Sequence, residues 1–282
     1  MVALKKLYAG AILLLVVFAT GCIGTSTNSN QTSSPSSTTL SSTETNQQWT
    51  PSSWIAYDKD ITLDGQYYIG DIEITHTSKV TMQLDIISGA ESISYLAIIP
   101  ASELEKWKGD STSLTYEFIS HHVKSGTYTA TLSPGTYYVL VGIADPIYMT
   151  LAEGTEVIDA GKYIGIPISL SNILYAENVK ATIDIREKLD INLDFMRASE
   201  FQIYQEGGTP RVVASYEKAE SGTYDITNGP PSYLERLDPD IYYLVLDNEY
   251  SVFTDKTIDY KVTGDVVYPA EVHLTIKVEE TG

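Results

Sequence analysis

The stretch LSPGTYYVLVGIAD, residues 132–145, returns in altered form as LDPDIYYLVLDNE, residues 237–249. Each copy leaves a Pro-containing turn and enters an apolar, Tyr-rich run, the composition of a strand. The echo extends outward on both sides. Tyr68-Ile69-Gly70 returns as Tyr163-Ile164-Gly165, Ala101-Ser102-Glu103 as Ala198-Ser199-Glu200, and Ser125-Gly126-Thr127-Tyr128 as Ser221-Gly222-Thr223-Tyr224, at offsets of 95, 97 and 96. Pro134 and Pro239 are 105 apart, which places an insertion between Ile226 and Leu237, with NGPPSYLER as its loop. Matches that keep their order and spacing indicate a tandem duplication of one domain of about 95 residues, an ordinary sandwich size.

The residues between these landmarks read as strands. In KVTMQLDII, Val80, Met82, Leu84 and Ile86 alternate with polar neighbours. LDINLDF does the same with Leu189, Ile191, Leu193 and Phe195, and EVHLTIKVEE with Val272, Leu274, Ile276 and Val278. Period two with one polar face marks half-buried antiparallel strands. The fold class expected is all-β: two tandem antiparallel jelly-roll-like β-sandwiches, 54–152 and 153–282, with the boundary near 151–156. Asp190, Asn192 and Asp194 lie on the polar face of their strand, whereas the aligned Ile93, Tyr95 and Ala97 leave residues 92–99 apolar on both faces. That outer face needs a cover, and the neighbouring domain is the nearest candidate.

The repeated landmarks have local causes. Ser102 with Glu105, and Ser199 with Gln202, match a capping box and predict a short helical turn after a strand in each copy. Pro134-Gly135 forms a tight turn. Asp240 stands where the second copy would have its glycine, so that turn needs either another geometry or a left-handed aspartate. Tyr137-Tyr138 and Tyr242-Tyr243 put one ring on each sheet face. The main use is a core ring with its hydroxyl bonded to a loop; a sugar-stacking platform is the rival.

The N-terminal fifth is a different kind of sequence. Lys5 and Lys6 precede an uncharged apolar run that ends at Gly21-Cys22, the layout of an export signal, with a retained spanning helix as the rival. Cys22 is the one cysteine of the chain. ATGC resembles a lipoprotein processing box, which implies that the segment 1–22 is a signal with its lipidation cysteine, cleaved before Cys22 so that the lipidated Cys22 becomes the new N-terminus. Residues 23–53 are dominated by Ser and Thr and read as a disordered stalk, with Asn30 in an N-glycosylation sequon. Signal, box and stalk together resemble archaeal surface lipoproteins. This places the protein at the extracellular face of the cell membrane. The formal charge is −19, and removal of Lys5 and Lys6 makes it more negative. Such a surface repels nucleic-acid phosphates.

The run L-x-P-G-x-Y-Y-x-L-V resembles the closing strand of the bacterial and archaeal pre-peptidase C-terminal domain family. Residues 134–141 carry the likeness; residues 239–246 carry it without the glycine. The resemblance implies a jelly-roll-like sandwich in a secreted or surface protein, without catalysis, serving adhesion, polymer binding or secretion, and with calcium bound in some related members.

A search for chemistry finds no H-E-x-x-H, no G-x-S-x-G, no phosphate-cradling glycine loop and no cysteine outside the leader. His121-His122 are adjacent and point oppositely on a strand, which suits a surface role better than one metal. Calcium is the remaining cofactor candidate. Asp190-x-Asn192-x-Asp194 sits on a strand, where alternate side chains are about 7 Å apart, too far for one ion. Loop clusters suit calcium better: Asp58, Asp60 and Asp64 near the N-terminal end, and Asp238 and Asp240, in a group with Asp247 and Glu249. The function expected is a lipid-anchored, non-catalytic binding or envelope-associated module whose partner is an extracellular polymer or a membrane protein. The alternatives are an accessory subunit of a membrane transporter or protease complex, and a surface-polymer hydrolase.

Overall fold

The computed structural model describes residues 50–109 and 113–281. The leader, Cys22, Asn30 and the expected stalk as far as residue 49 lie outside the described residues, and the stalk's last residue, Ser53, begins the first strand. Among the described residues no helix is long and apolar enough to cross a membrane.

The first seven strands are β1 (Ser53–Leu63), β2 (Tyr67–Ile74), β3 (Ser78–Ser88), β4 (Ile93–Pro100), β5 (Phe118–Val123), β6 (Gly126–Leu132) and β7 (Gly135–Val141), with helix α1 (Leu104–Lys108) between β4 and β5. Then come β8 (Ile147–Ile158), β9 (Tyr163–Ser169), β10 (Tyr175–Ile185), β11 (Ile191–Arg197), helix α2 (Ala198–Gln205), β12 (Ala214–Ala219), β13 (Gly222–Asp225), the two-residue β14 (Arg236–Leu237), β15 (Ile241–Asp247), β16 (Lys256–Val267) and β17 (Ala270–Glu280). Four antiparallel sheets result. Their orders are β1-β17-β3-β6 and β2-β7-β4-β5 in one sandwich, and β8-β16-β10-β13 and β9-β15-β11-β12 in the other. Strand for strand these are the same eight-stranded jelly roll, twice.

The expected division at 152/153 is corrected in two ways. It falls inside β8, a continuous strand of the second sandwich, so the chain changes sandwich between β7 and β8. The larger correction concerns β17. It lies between β1 and β3, pairing Val272 with Ile61 and with Ile86. Its apolar set Val272, Leu274, Ile276 and Val278 is fully buried in the first core. The second jelly roll is therefore inserted between the seventh and eighth strands of the first. Four buried aliphatic side chains, each contributing roughly 1.5–3 kcal/mol, hold this strand in place. The alternating pattern identified β17 as half-buried but not whose sheet it completes.

Each sandwich has its own core, one centred on Leu84, Leu96 and Leu274, the other on Leu193, Phe195 and Val262. Tyr137 and Tyr242 face these cores and donate to the carbonyls of Ser133 and Asp238 at 2.9 and 3.0 Å. Burial raises the Tyr242 hydroxyl to about 12. Their neighbours Tyr138 and Tyr243 face outward. The ring of Tyr138 would meet a Cβ at Gly70, and the ring of Phe201, stacked on Tyr243 at 4.1 Å, would meet one at Gly165. This close approach of a ring to backbone explains the repeated Ile-Gly.

The outer face of β4 is covered by the chain's own helix rather than by the other sandwich. Leu104 and Trp107 of α1 pack on Ala97, Ile99 and Leu140. Phe201 and Tyr204 of α2 do the same for Met196 and Val245. Neither helix uses the expected capping box: Pro100 and Arg197 precede the helical residues, and no side chain caps either start. The repeated Ala-Ser-Glu has another cause. Glu103 accepts the backbone N–H of Thr115 at 3.2 Å, and Glu200 that of Arg211 at 2.8 Å, so each carboxylate lashes its helix to the segment that returns to the sheet. Lys106 and that N–H hold the Glu103 carboxyl below its usual range. At the closing turns, neither Gly135 nor Asp240 is among the described positions with positive φ, so the second copy lost nothing by replacing the glycine.

Candidate functional site

The two jelly rolls differ at one sheet end. In the first, the chain beyond β7 keeps pairing with the start of β4. Gly142 N–H donates to Tyr95 O, Ser94 N–H to Ile143 O, and Asp145 N–H to Ser92 O. Gly142 makes this possible, because a Cβ there would lie 2.2 Å from Ser94 Oγ and 2.9 Å from the Tyr95 backbone.

The equivalent of Gly142 is Asp247, the last residue of β15. Its pairing with Asn192 is the final rung of the β11–β15 ladder. The next residue, Asn248, turns away. Its N–H donates to Lys162 O at 2.8 Å, and its Nδ2 reaches Ile158 O, Asp159 O and Thr254 O at 3.0–3.2 Å. Where the first jelly roll zips shut, the second leaves a cleft of about 440 Å3 between residues 189–192 and the loop that follows β15.

The floor of the cleft is polar and buried. Asp247, Asn248 and Lys256 are three of the six buried polar or charged residues in the described structure. Asp247 accepts the Tyr204 hydroxyl at 2.8 Å and the Glu249 N–H at 2.7 Å. Burial and that carboxylate push the Tyr204 hydroxyl well above its ordinary value. Lys256 Nζ donates to the Asp190 carbonyl oxygen, and burial lowers the ammonium's pKa. Asn248 Oδ1 is a buried acceptor for which the described residues supply no donor. The walls carry Asn192, whose Oδ1 takes the Lys218 N–H at 3.1 Å, and Glu217. Tyr250 stands on the rim, 85% exposed.

The calcium candidates lie elsewhere and hold other partners. Asp58 and Asp60 are on β1, not in a loop, and both grip His273 of β17. His273 Nδ1 is 2.7 Å from Asp60 and Nε2 is 2.9 Å from Asp58. Asp64 follows the end of β1. Asp238 and Asp240 are bridged by Arg197 at 3.4 and 2.8 Å. The Asp190-Asn192-Asp194 face is divided. Asp190 and Asn192 line the cleft, while burial raises the carboxyl of Asp194. Among the described residues no three His, Cys, Asp or Glu side chains gather as a metal site would require. His122 contacts Asp145 at 3.2 Å. Asn248 and Lys256 gave no motif; their signal is the Gly142-to-Asp247 exchange, visible only once the copies are aligned in register.

No family model matches the chain, and no curated protein matches it. Among solved structures, the chain is similar to one from Sulfolobus turreted icosahedral virus (11% identity, TM-score 0.26, 74% of this chain) and spans 60% of that protein's length. It is also similar to the infectious bursal disease virus VP2 subviral particle (9%, 0.25, 82% of this chain and 80% of that one). A third is the fucolectin from striped bass (Morone saxatilis) serum (9%, 0.22, 74% and 86%). At such identities and scores the likeness is one of coarse strand arrangement.

Proposed function

We propose that the protein is a non-catalytic binding module, lipid-anchored through Cys22 at the extracellular face of the membrane, with the cleft of the second jelly roll as its ligand site. One observation carries the choice of site: the two copies of one fold differ at this sheet end, and the copy without the Gly142-type zipper has a cleft with a buried polar floor; the anchor rests on the ATGC box. Buried polar groups require hydrogen-bond partners. The floor side chains are committed to the scaffold, Asp247 to Tyr204 and Lys256 to the Asp190 carbonyl. Fixed groups of this kind suit recognition better than proton transfer. The accessory-subunit reading draws support from the loop after β15, where Val252 and Phe253, next in sequence to the cleft residues Tyr250 and Ser251, are 75% and 93% exposed.

The test is retention of envelope material by the full chain purified from detergent-solubilised membranes. The wild type retains a polymer or protein that Tyr250→Ala releases, and Cys22→Ser moves the chain out of the membrane fraction. Retention indifferent to Tyr250 overturns the assignment of the cleft. Unchanged partitioning of Cys22→Ser overturns the lipid anchor.

A further inference from the structure

Granted that the cleft holds a ligand, as proposed above, we infer that the ligand is an uncharged, hydroxyl-rich ring: a neutral sugar of the pyranose class. The first ground is charge. The walls and floor mix the carboxylates of Asp190, Glu217 and Asp247 with the ammoniums of Lys218 and Lys256. An anion meets three carboxylates within a chain of formal charge −19. A cation meets two ammoniums. A bare metal finds no convergent set of three ligands among the described residues. A neutral molecule that donates and accepts from the same atom satisfies both kinds of wall, and hydroxyl groups do this.

The second ground is the pairing of polar floor with apolar rim. Asn248, whose buried Oδ1 has no donor among the described residues, belongs to that floor. Tyr250 and the 41%-exposed Leu189 add apolar surface at the mouth. A pyranose presents the same division, equatorial hydroxyls around an edge and C–H groups across a face that packs on an aromatic ring. The volume of about 440 Å3 lies within the ordinary range for small-molecule sites, roughly 300–1,000 Å3.

Saturation-transfer NMR on the full chain, in a detergent without a sugar headgroup, tests this. The probes are the methyl glycosides of glucose, galactose, mannose and N-acetylglucosamine, with glucuronate and glucosamine as charged controls. Saturation is expected to reach at least one neutral glycoside, and to fall about tenfold or more in Tyr250→Ala, whose exposed ring the fold does not need, and in Glu217→Gln. Saturation of the charged controls alone, of no neutral glycoside, or of one equally in wild type and Tyr250→Ala overturns the inference. If envelope material is still released by Tyr250→Ala while no glycoside is saturated, the sugar class is wrong and the cleft remains a ligand site.

Discussion

Glu200 accepts the backbone N–H of Arg211 at 2.8 Å, and this bond ties the first turn of helix α2 to the segment beyond its end. With its counterpart between Glu103 and Thr115 it explains a tripeptide that the chain has kept twice. Glu200→Ala should leave the sheets intact and speed hydrogen exchange at residues 209–213 more than elsewhere, and Glu103→Ala should do the same near residue 115. Protection unchanged in both variants would mean that these carboxylates do not hold the returning segments.

The nested connection makes the fragment 54–152 incomplete, because it lacks the strand between β1 and β3. It should fail to give a cooperative thermal transition, whereas residues 147–267, which contain all eight strands of the second jelly roll, should give one. In the intact chain, Leu274→Ala should cost about 2–5 kcal/mol in denaturant unfolding. That loss should fall on the first sandwich, far in sequence from β1 to β7.

The zipper is testable through Gly142. Gly142→Asp forces a side chain to within contact of Ser94 and should destabilise the first jelly roll by about 1–3 kcal/mol. It should also raise exchange at Ser94 and Asp145, whose N–H groups belong to that ladder. A neutral substitution would mean that the two sheet ends differ for a reason other than the glycine.

Two titrating clasps fasten β17. His273 lies between Asp60 and Asp58 of β1, with Asp85 across from it on β3. The hydrogen bond to Asp60 leads in raising its pKa. A raised histidine stabilises fully below its unfolded value, near 6.5, and that contribution is lost as pH rises through the folded value. Glu280, bonded first to the Ser52 hydroxyl and then to His76, is lowered to about 2. Its contribution is present above its ordinary value of 4.5 and fades as pH falls toward 2. The melting temperature should therefore fall on both sides of a mildly acidic maximum. His273→Gln should flatten the alkaline arm and Glu280→Gln the acidic one, as followed by circular dichroism.

Much of this is legible in the sequence. Alternation in residues 80–86 and 189–195 fixes strands because a period of two is the geometry of a pleated sheet, and three ordered echoes reveal the duplication. The sheet that receives β17 was not legible, since V-H-L-T-I-K-V fits any half-buried antiparallel slot and nothing local names its neighbours. The S-x-x-E match was satisfied in letters while the glutamate between served another purpose. The cleft escaped because it arises from pairing that stops, and an unmade bond leaves no motif. Only the register-aligned exchange of Gly142 for Asp247 points to it.

Ser52 and Glu280 stand 228 residues apart in sequence and are hydrogen-bonded through the Ser52 hydroxyl at 2.6 Å. On the ribosome this separation is a delay. Seven strands of the first jelly roll emerge early and wait, while the inserted one has its full complement of strands sooner. The first half of the molecule to be synthesised is thus the last to close, because its sheet is completed only once the eleven-residue β17 has been made.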